Sequence, residues 1–258
     1  MALLDAAIWF TGAERVQIDV APTAEAAGAC RLASATVLVV DVLRASTTII
    51  AALGQGCVAI VPVGDPDEAR RRRGSPELAD ALMAGERRGE PLAGFDLGNS
   101  PLEFTADRVS GRTVIFTTSN GTRALLAARD APAVGVAAFV NAGAAVAWAV
   151  GHGRDVTVVC AGERGRLSLE DHACAGVLVA RIQAAVPAAV LSDRARAACA
   201  LGRAYAADVA RLGGDSSWAR HLSAAGRGSD VAACLALDTS TVVPVYLTDV
   251  DKVVLGPR

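Results

Sequence analysis

Residues 36–48 read TVLVVDVLRASTT, an unbroken apolar run that stops at a carboxylate, Asp41, and continues into Leu43-Arg44-Ala45-Ser46-Thr47-Thr48. A run without polar alternation has no face to give to water, so it reads as a strand buried on both sides, as in a parallel sheet. The next stretch, STTIIAALGQG (46–56), carries its apolar residues at helical spacing. Strand, polar turn and helix together make one half of a βαβ unit. The same pattern recurs along the chain. Further expected strands are VQIDV (16–20), CVAIVPV (57–63), TVIFTTS (113–119), AVGVAAF (133–139), DVTVVCA (155–161) and TVVPVYL (241–247). Helical spacing recurs in NGTRALLAARD (120–130) and NAGAAVAWAVGHG (141–153), and the segment 113–184 repeats the strand–helix unit three times. The expected fold is therefore α/β, with a mostly parallel sheet and helices on both faces. A helical region near the C-terminus spans about 192–226. Residues 83–105 are rich in Gly, Pro and charge and read as a long loop, a kind that is usually functional. One compact unit over 1–258 is expected, with two α/β subdomains flanking the active site as the alternative.

Composition narrows the function classes. The chain is 52% hydrophobic but only 4% aromatic, so Val, Leu, Ile and Ala must build the core. A formal net charge of −2 gives no reason to expect nucleic acid or a membrane surface as partner. No apolar run approaches the ~20 residues a membrane span needs. The first residues, MALLDAAIWFTGAERV, lack the basic start of a signal peptide. Six cysteines form no CxxC pair and several lie in apolar segments, which suits a cytoplasmic protein with reduced thiols.

Chemistry gathers at the expected strand ends, where open parallel sheets bind ligands. Asp41 follows the first run, with Arg44, Ser46, Thr47 and Thr48 at the helix start beyond it. Hydroxyls and amides in that position suit phosphate, and the carboxylate suits a divalent cation or nucleophilic attack. A second end offers Thr118, Asn120, Gly121, Thr122 and Arg123. Gly121 permits close backbone approach. Arg123 sits in a first helical turn, where the dipole disfavours a cation and a bound anion would offset this. In the 83–105 segment, Glu86 and Asp96 can complete a carboxylate-rich Mg²⁺ site, with Asn99 nearby. Ser168, Glu170 and Asp171 open another helix. Helix capping accounts for any one of these loops taken alone. It accounts less well for arginines recurring beside the caps.

The stretch CAGERGR (160–166) matches a cysteine-nucleophile phosphatase loop, a cysteine followed after five residues by arginine. A reactive thiolate needs an electropositive loop. Glu163 lies inside this one and Glu170 and Asp171 follow it, so the acids favour a cation over a thiolate. Gly162 and Arg166 then remain able to grip an anion, with Cys160 a small residue at a strand end. The run Arg70 to Arg73 behind Asp65 and Pro66 reads as a solvated, capped helix.

The ordered set VVDVLRASTTI, GER, GFDLGNSP, TTSNGTRAL, FVNA, CAGERGRLSLEDHACAG and SDVAACLALD resembles the 2-phosphosulfolactate phosphatase family, over roughly residues 16–250. Ala137-Ala138 stands where a Gly-Ser pair is expected and Leu167 where an aromatic is usual. The resemblance implies a Mg²⁺-dependent hydrolase that converts 2-phosphosulfolactate to sulfolactate and phosphate, as in coenzyme M biosynthesis. It carries over Asp41, Arg44, Ser46, Thr47, Thr48, Glu86, Asp96, Asn99, Thr118, Asn120, Gly121, Thr122, Arg123, Gly162, Glu170 and Asp171 as active-site candidates. The chemistry of these side chains then suggests their roles. Asp41, Arg44, Arg123, Glu170 and Asp171 are read as catalytic, and Asp41, Glu86 and Asp171 as metal ligands. Ser46, Thr47, Thr48, Asn99, Thr118, Asn120, Gly121, Thr122 and Gly162 are read as substrate-binding together with Arg166, and Arg87 joins Arg166 as a partner for the substrate's further acids. The partner is thus a small anionic phosphorylated molecule, and a homo-oligomer is compatible with this reading. A phosphatase for another phosphorylated 2-hydroxy acid, or a non-catalytic binder of an anionic metabolite, are the alternatives.

Overall fold

The computed structural model describes residues 15–256, so the expectation about the first residues falls largely outside it. Eleven strands form one sheet. In chain order they are β1 (Gln17–Ala21), β2 (Ala35–Val40), β3 (Ala59–Pro62), β4 (Leu82–Arg87), β5 (Glu90–Pro91) and β6 (Thr113–Thr117). Then come β7 (Ala133–Ala137), β8 (Asp155–Cys160), β9 (Val190–Leu191), β10 (Pro244–Leu247) and β11 (Lys252–Leu255). The helices begin with α1 (Ala45–Gly54), α2 (Pro66–Arg73), α3 (Ala106–Val109), α4 (Gly121–Ala127) and α5 (Ala142–Gly151). They continue with α6 (Leu169–Ala185), α7 (Asp193–Tyr205), α8 (Leu212–Asp215), α9 (Ser217–Ala224) and α10 (Gly228–Cys234). Among the described residues no helix is long and apolar enough to cross a membrane.

All seven expected strands form. The sheet order is β5-β4-β6-β3-β11-β10-β7-β2-β8-β1-β9. Two parallel halves, β4-β6-β3 and β7-β2-β8-β1-β9, are joined by the antiparallel hairpin β10–β11. The hairpin meets each half through one residue pair, Val253 with Ile60 and Val245 with Gly135. Every residue of β2 is buried, as its unbroken apolar run requires. The three expected strand–helix repeats are split between the halves. β6 lies in one, whereas β7 and β8 flank β2 in the other.

The core explains how the halves cooperate. Val37, Val39 and Val159 of one half share an apolar cluster with Ile60, Val114 and Phe116 of the other, and with Ile49 of α1 and Leu125 of α4. The opposite face of the larger half packs on α5, α6 and α7, and the opposite face of the smaller half packs on α2. α1 and α4 thus cover one face of both halves, and loops at strand ends of both halves line one hollow.

The segment 83–105 differs from expectation. It contains most of β4, paired in parallel with β6, then the short β5 and a 3-10 turn at Pro101–Glu103. LMAGER has little β propensity, and pairing with a buried neighbour decides its conformation instead. Gly85 makes this possible, because its φ is 154° and a Cβ there would fall 2.0 Å from the Thr117 carbonyl oxygen. The expected helical region 192–226 is broken into α7, α8 and α9. The arginine helix α2 forms as anticipated, with Asp65 accepting from the Glu68 N–H at 2.8 Å.

Candidate active site

Four loops meet: the β2–α1 and β8–α6 loops of the larger half, and the β4–β5 and β6–α4 loops of the smaller one. Between them lies a small hollow of about 50 Å³. It is lined by Asp41, Arg44, Glu86, Asn99 and Asn120 from the anticipated set, together with Leu43, Arg88, Gly89, Ser119, Glu163, Arg164 and Trp218.

The β2–α1 turn is built from its own polar groups. The Asp41 N–H donates to Ser46 Oγ at 2.9 Å and the Ser46 N–H returns to the Asp41 carbonyl at 2.8 Å. Asp41 Oδ1 accepts the Ala45 N–H at 3.2 Å. Thr47 Oγ1 donates to the Val42 carbonyl at 3.0 Å, and Thr48 Oγ1 to the Asn99 carbonyl at 3.1 Å. These three hydroxyls are thus occupied in shaping the site. Among the described residues no donor reaches Asp41 Oδ2. Gly121 allows this carboxylate to be there at all. A Cβ on Gly121 would stand 2.7 Å from Asp41 Oδ2 and 2.5 Å from Ala45 Cβ.

Asp171 supports the same turn from behind. Its Oδ1 accepts the Val42 N–H at 2.8 Å and its Oδ2 the Gly162 N–H at 3.1 Å. Ser168 caps α6 by accepting the Asp171 N–H at 3.3 Å. Glu170 Oε2 accepts Ser216 Oγ at 2.7 Å. Neither Asp171 nor Glu170 lines the hollow, but both are buried next to it. Glu86 closes the opposite wall, where its two oxygens take the Gly89 and Ser119 N–H groups, each at 2.7 Å.

So much buried acid has an electrostatic consequence. Asp41 is pushed up to about 7, first by burial and then by the charges of Glu86 and Glu170; the Ala45 N–H and Arg44 oppose this only in part. Asp171 is pushed well above the carboxylate range, by burial and by Asp41 and Glu170. Arg44 cannot neutralise the cluster freely. Its Nη1 is ion-paired with Asp230 at 2.6 Å, and its Nη2 donates to the Gly89 carbonyl at 2.9 Å. Asp230 is held in turn by Ser100 Oγ at 2.6 Å.

Several anticipated residues lie elsewhere. Arg123 projects outward, 54% exposed, and pairs with Glu25 at 3.0 Å. Arg87 donates to Thr117 Oγ1 at 2.9 Å and to the Gly64 carbonyl at 3.3 Å, so it braces the smaller half. Asp96 pairs with Arg73 at 2.9 Å and accepts the Met83 N–H at 2.8 Å. Arg166 is exposed in a turn with Glu163. Thr118 and Thr122 bond to each other across the start of α4, where the Thr122 N–H donates to Thr118 Oγ1 at 3.2 Å. Gly162, at φ 67°, meets the Asp171 carboxylate through its N–H.

Cys160 is fully buried and its thiol is raised well above its usual value by burial and by Asp171. It stays protonated and does not line the hollow. Cys160→Ala should accordingly keep phosphate release within about threefold of the parent in a phosphate-release assay, with a stability loss of ~1 kcal/mol from the small cavity. A loss of two orders of magnitude would restore the thiol route.

Sequence reading overlooked Asp230, Arg88, Arg164, Ser216 and Trp218. Trp218 Nε1 donates to the Leu43 carbonyl at 2.9 Å, which ties α9 to the β2–α1 turn. Nothing in the local spacing of 192–230 signals that its helices fold back over a loop about 170 residues earlier.

Residues 22–249 match a family model described as 2-phosphosulpholactate phosphatase. A probable 2-phosphosulfolactate phosphatase of Symbiobacterium thermophilum is 38% identical over 216 residues, which cover 83% of this chain and 92% of that protein. One from Gloeobacter violaceus is 38% identical over 206 residues, 80% of this chain and 85% of its own. One from Thermotoga maritima is 34% identical over 215 residues, 83% and 90% of the two chains.

Proposed function

This chain belongs to the 2-phosphosulfolactate phosphatase family, and from that premise we propose that it is a Mg²⁺-dependent hydrolase of 2-phosphosulfolactate, releasing sulfolactate and phosphate. The observation that carries the proposal is Asp41, a buried carboxylate with one oxygen that meets no donor among the described residues, in the wall of the hollow.

The residues present fit a hard cation. Asp41 and Glu86 face the hollow, and Asp171 stands directly behind Asp41. The side-chain oxygen of Asn99, which also lines the hollow, is buried with no hydrogen-bond partner among the described residues. Among the described residues no three acidic, histidine or cysteine side chains form a ready-made cage. Magnesium ordinarily needs only one or two carboxylates, with waters and phosphate oxygens filling the octahedron. Asp41 and Glu86 would hold it, with the Asn99 amide beside them. When bound, Mg²⁺ supplies positive charge against the phosphoryl oxygens and relieves the repulsion among the buried acids.

The chain's own groups account for the rest. Arg44, fixed by Asp230 and Gly89, lines the hollow and lends positive charge to the phosphoryl oxygens as the ester bond loosens. Water attacks phosphorus and its proton passes to a phosphoryl oxygen, which leaves Asp41 Oδ2 to the cation. The charges of Glu86 and Glu170 beside the buried Asp41 make this a place that a cation relieves. The bond from phosphorus to the substrate oxygen breaks, and the departing alkoxide takes a proton from solvent at the open rim.

Chelation tests the cation. Dialysis against EDTA should lower phosphate release from 2-phosphosulfolactate at least fiftyfold, and added Mg²⁺ should restore it. Full activity after exhaustive chelation would remove Mg²⁺ from the scheme.

A further inference from the structure

The hollow is charged in two tiers. Its floor is acidic, with Asp41 and Glu86, and its buried arginine is already paired with Asp230. Its rim carries two further arginines, Arg88 and Arg164, from loops on opposite halves of the sheet. Neither guanidinium is committed to the protein among the described residues. Arg88 makes no side-chain hydrogen bond there, and only its N–H is engaged, with Ser119 Oγ at 3.2 Å. Arg164 is 72% exposed, and its one ion pair, with Glu163, is a loose 3.9 Å. By contrast, Arg44, Arg72, Arg73, Arg123, Arg181 and Arg194 are all held by carboxylates at 3.0 Å or less.

Both rim arginines also sit on left-handed backbone, Arg88 at φ 57° and Arg164 at φ 50°. Non-glycine residues adopt that region seldom, and such positions persist where surrounding structure demands them. The Glu163–Arg166 turn, closed by backbone bonds of 2.8 and 2.9 Å, fixes one of them. Contact of the Arg88 N–H with Ser119 fixes the other to the loop that Glu86 also grips.

We propose that Arg88 and Arg164 are the specificity-determining pair of this hollow, recognising a second acidic group, a carboxylate or sulfonate, on a short phosphate monoester. The inference rests on the phosphatase reading for the position of the phosphate, and adds what lies above it. A phosphate drawn to the cation-bearing floor leaves the rest of a two- or three-carbon substrate at the rim. There a neutral leaving group gives the two rim arginines nothing to pair with, whereas an acid outcompetes the loose Glu163 contact and is paired by them. Planar guanidinium groups match the paired oxygens of either acid. Of the cations anticipated for this task, Arg87 is engaged by Thr117 and Gly64, and Arg166 does not line the hollow.

The test compares two substrates in the full-length protein. kcat/KM is measured for 2-phosphosulfolactate and for p-nitrophenyl phosphate, in the parent and in Arg88→Ala, Arg164→Ala and the double variant. Each single variant should lower the ratio of the two values about tenfold and the double variant thirtyfold or more, with the change mainly in KM. Arg88→Lys should recover part of the ratio. An unchanged ratio overturns the proposal, whether both substrates suffer equally or neither does. Calorimetric titration with sulfolactate and with inorganic phosphate in Mg²⁺ separates the two readings. Selective loss of sulfolactate binding in the double variant, in a parent that turns nothing over, would uphold the rim pair and dismiss the phosphatase. Equal binding by parent and double variant would dismiss the pair.

Discussion

Asp41→Asn should lower kcat for phosphate release by about three orders of magnitude and, at pH 8 without Mg²⁺, raise the melting temperature. The two effects have one cause. In the folded chain the Asp41 carboxyl is pushed up to about 7 from an ordinary 3.8. A group whose folded pKa lies above its unfolded one contributes stability in acid, below about pH 4. That contribution is lost as pH rises through 7, because the unfolded chain has released its proton while the folded chain still holds one. Above pH 7 the ionised Asp41 is therefore a liability to the fold. A rise of about three units sets a ceiling of ~4 kcal/mol. Coupling to Asp171, which is itself raised by Asp41 and Glu170, spreads this penalty over the pair. Asparagine keeps the acceptor for the Ala45 N–H and the shape, but not the charge. A gain of several degrees is expected at pH 8, vanishing at pH 4 where both side chains are neutral. Mg²⁺ should raise the melting temperature of the parent by mass action and leave the variant nearly unmoved. The activity loss follows from removal of a charged cation ligand at the floor of the hollow. Differential scanning calorimetry across pH 4–8 gives the thermal half and a phosphate assay the other. A variant that melts below the parent at pH 8, or turns over within tenfold of it, would show that Asp41 is neither strained by burial nor chemically engaged.

The same residue shows how far sequence reached. Asp41 was legible because an unbroken apolar run can only be buried, and a carboxylate at its end can only lie at the sheet's ligand-binding edge. Glu86, Asn99 and Asn120 were also anticipated and meet at the hollow. Arg123 shows the limit of the method. Helix position gave it an unfavourable dipole and suggested a bound anion, but Glu25, nearly a hundred residues earlier, takes the charge instead. Local pattern cannot see such a partner. Asp230, Ser216 and Trp218 illustrate the converse. Each acts by reaching back to the β2–α1 turn or to Glu170. That reach is set by how α8 to α10 fold over the larger half, and no local period encodes it. β4 failed as a strand on propensity alone, since LMAGER owes its conformation to β6. Gly85 was the one visible hint, because an isolated glycine in a paired segment marks close backbone approach.

Glycine also governs the second large effect, at the crossing of α6 and α7. Both helices carry an interior glycine, Gly176 in CAGVL and Gly202 in ALGRA, each unfavourable by roughly 1 kcal/mol relative to alanine in a free helix. The crossing explains them. A Cβ on Gly176 would fall 1.9 Å from the Ala198 carbonyl oxygen, and one on Gly202 2.3 Å from the Gly176 carbonyl carbon. Both obstacles are backbone, so no side chain can swing aside, and the helices themselves must separate. Gly176→Val should cost ~3 kcal/mol or more, and Gly176→Ala somewhat less. Gly28→Ala is the control, since a Cβ there meets nothing within 4 Å. The separation reaches the active site, because α6 presents Glu170 and Asp171 in its first turn and Asp171 holds the Val42 and Gly162 N–H groups. Urea titration should thus find Gly176→Ala well below the parent in midpoint and Gly28→Ala indistinguishable from it. The folded fraction of Gly176→Ala should also bind Mg²⁺ more weakly. A midpoint equal to the parent's would mean that the two helices do not touch backbone to backbone, and the route from their crossing to Asp41 would be lost with it.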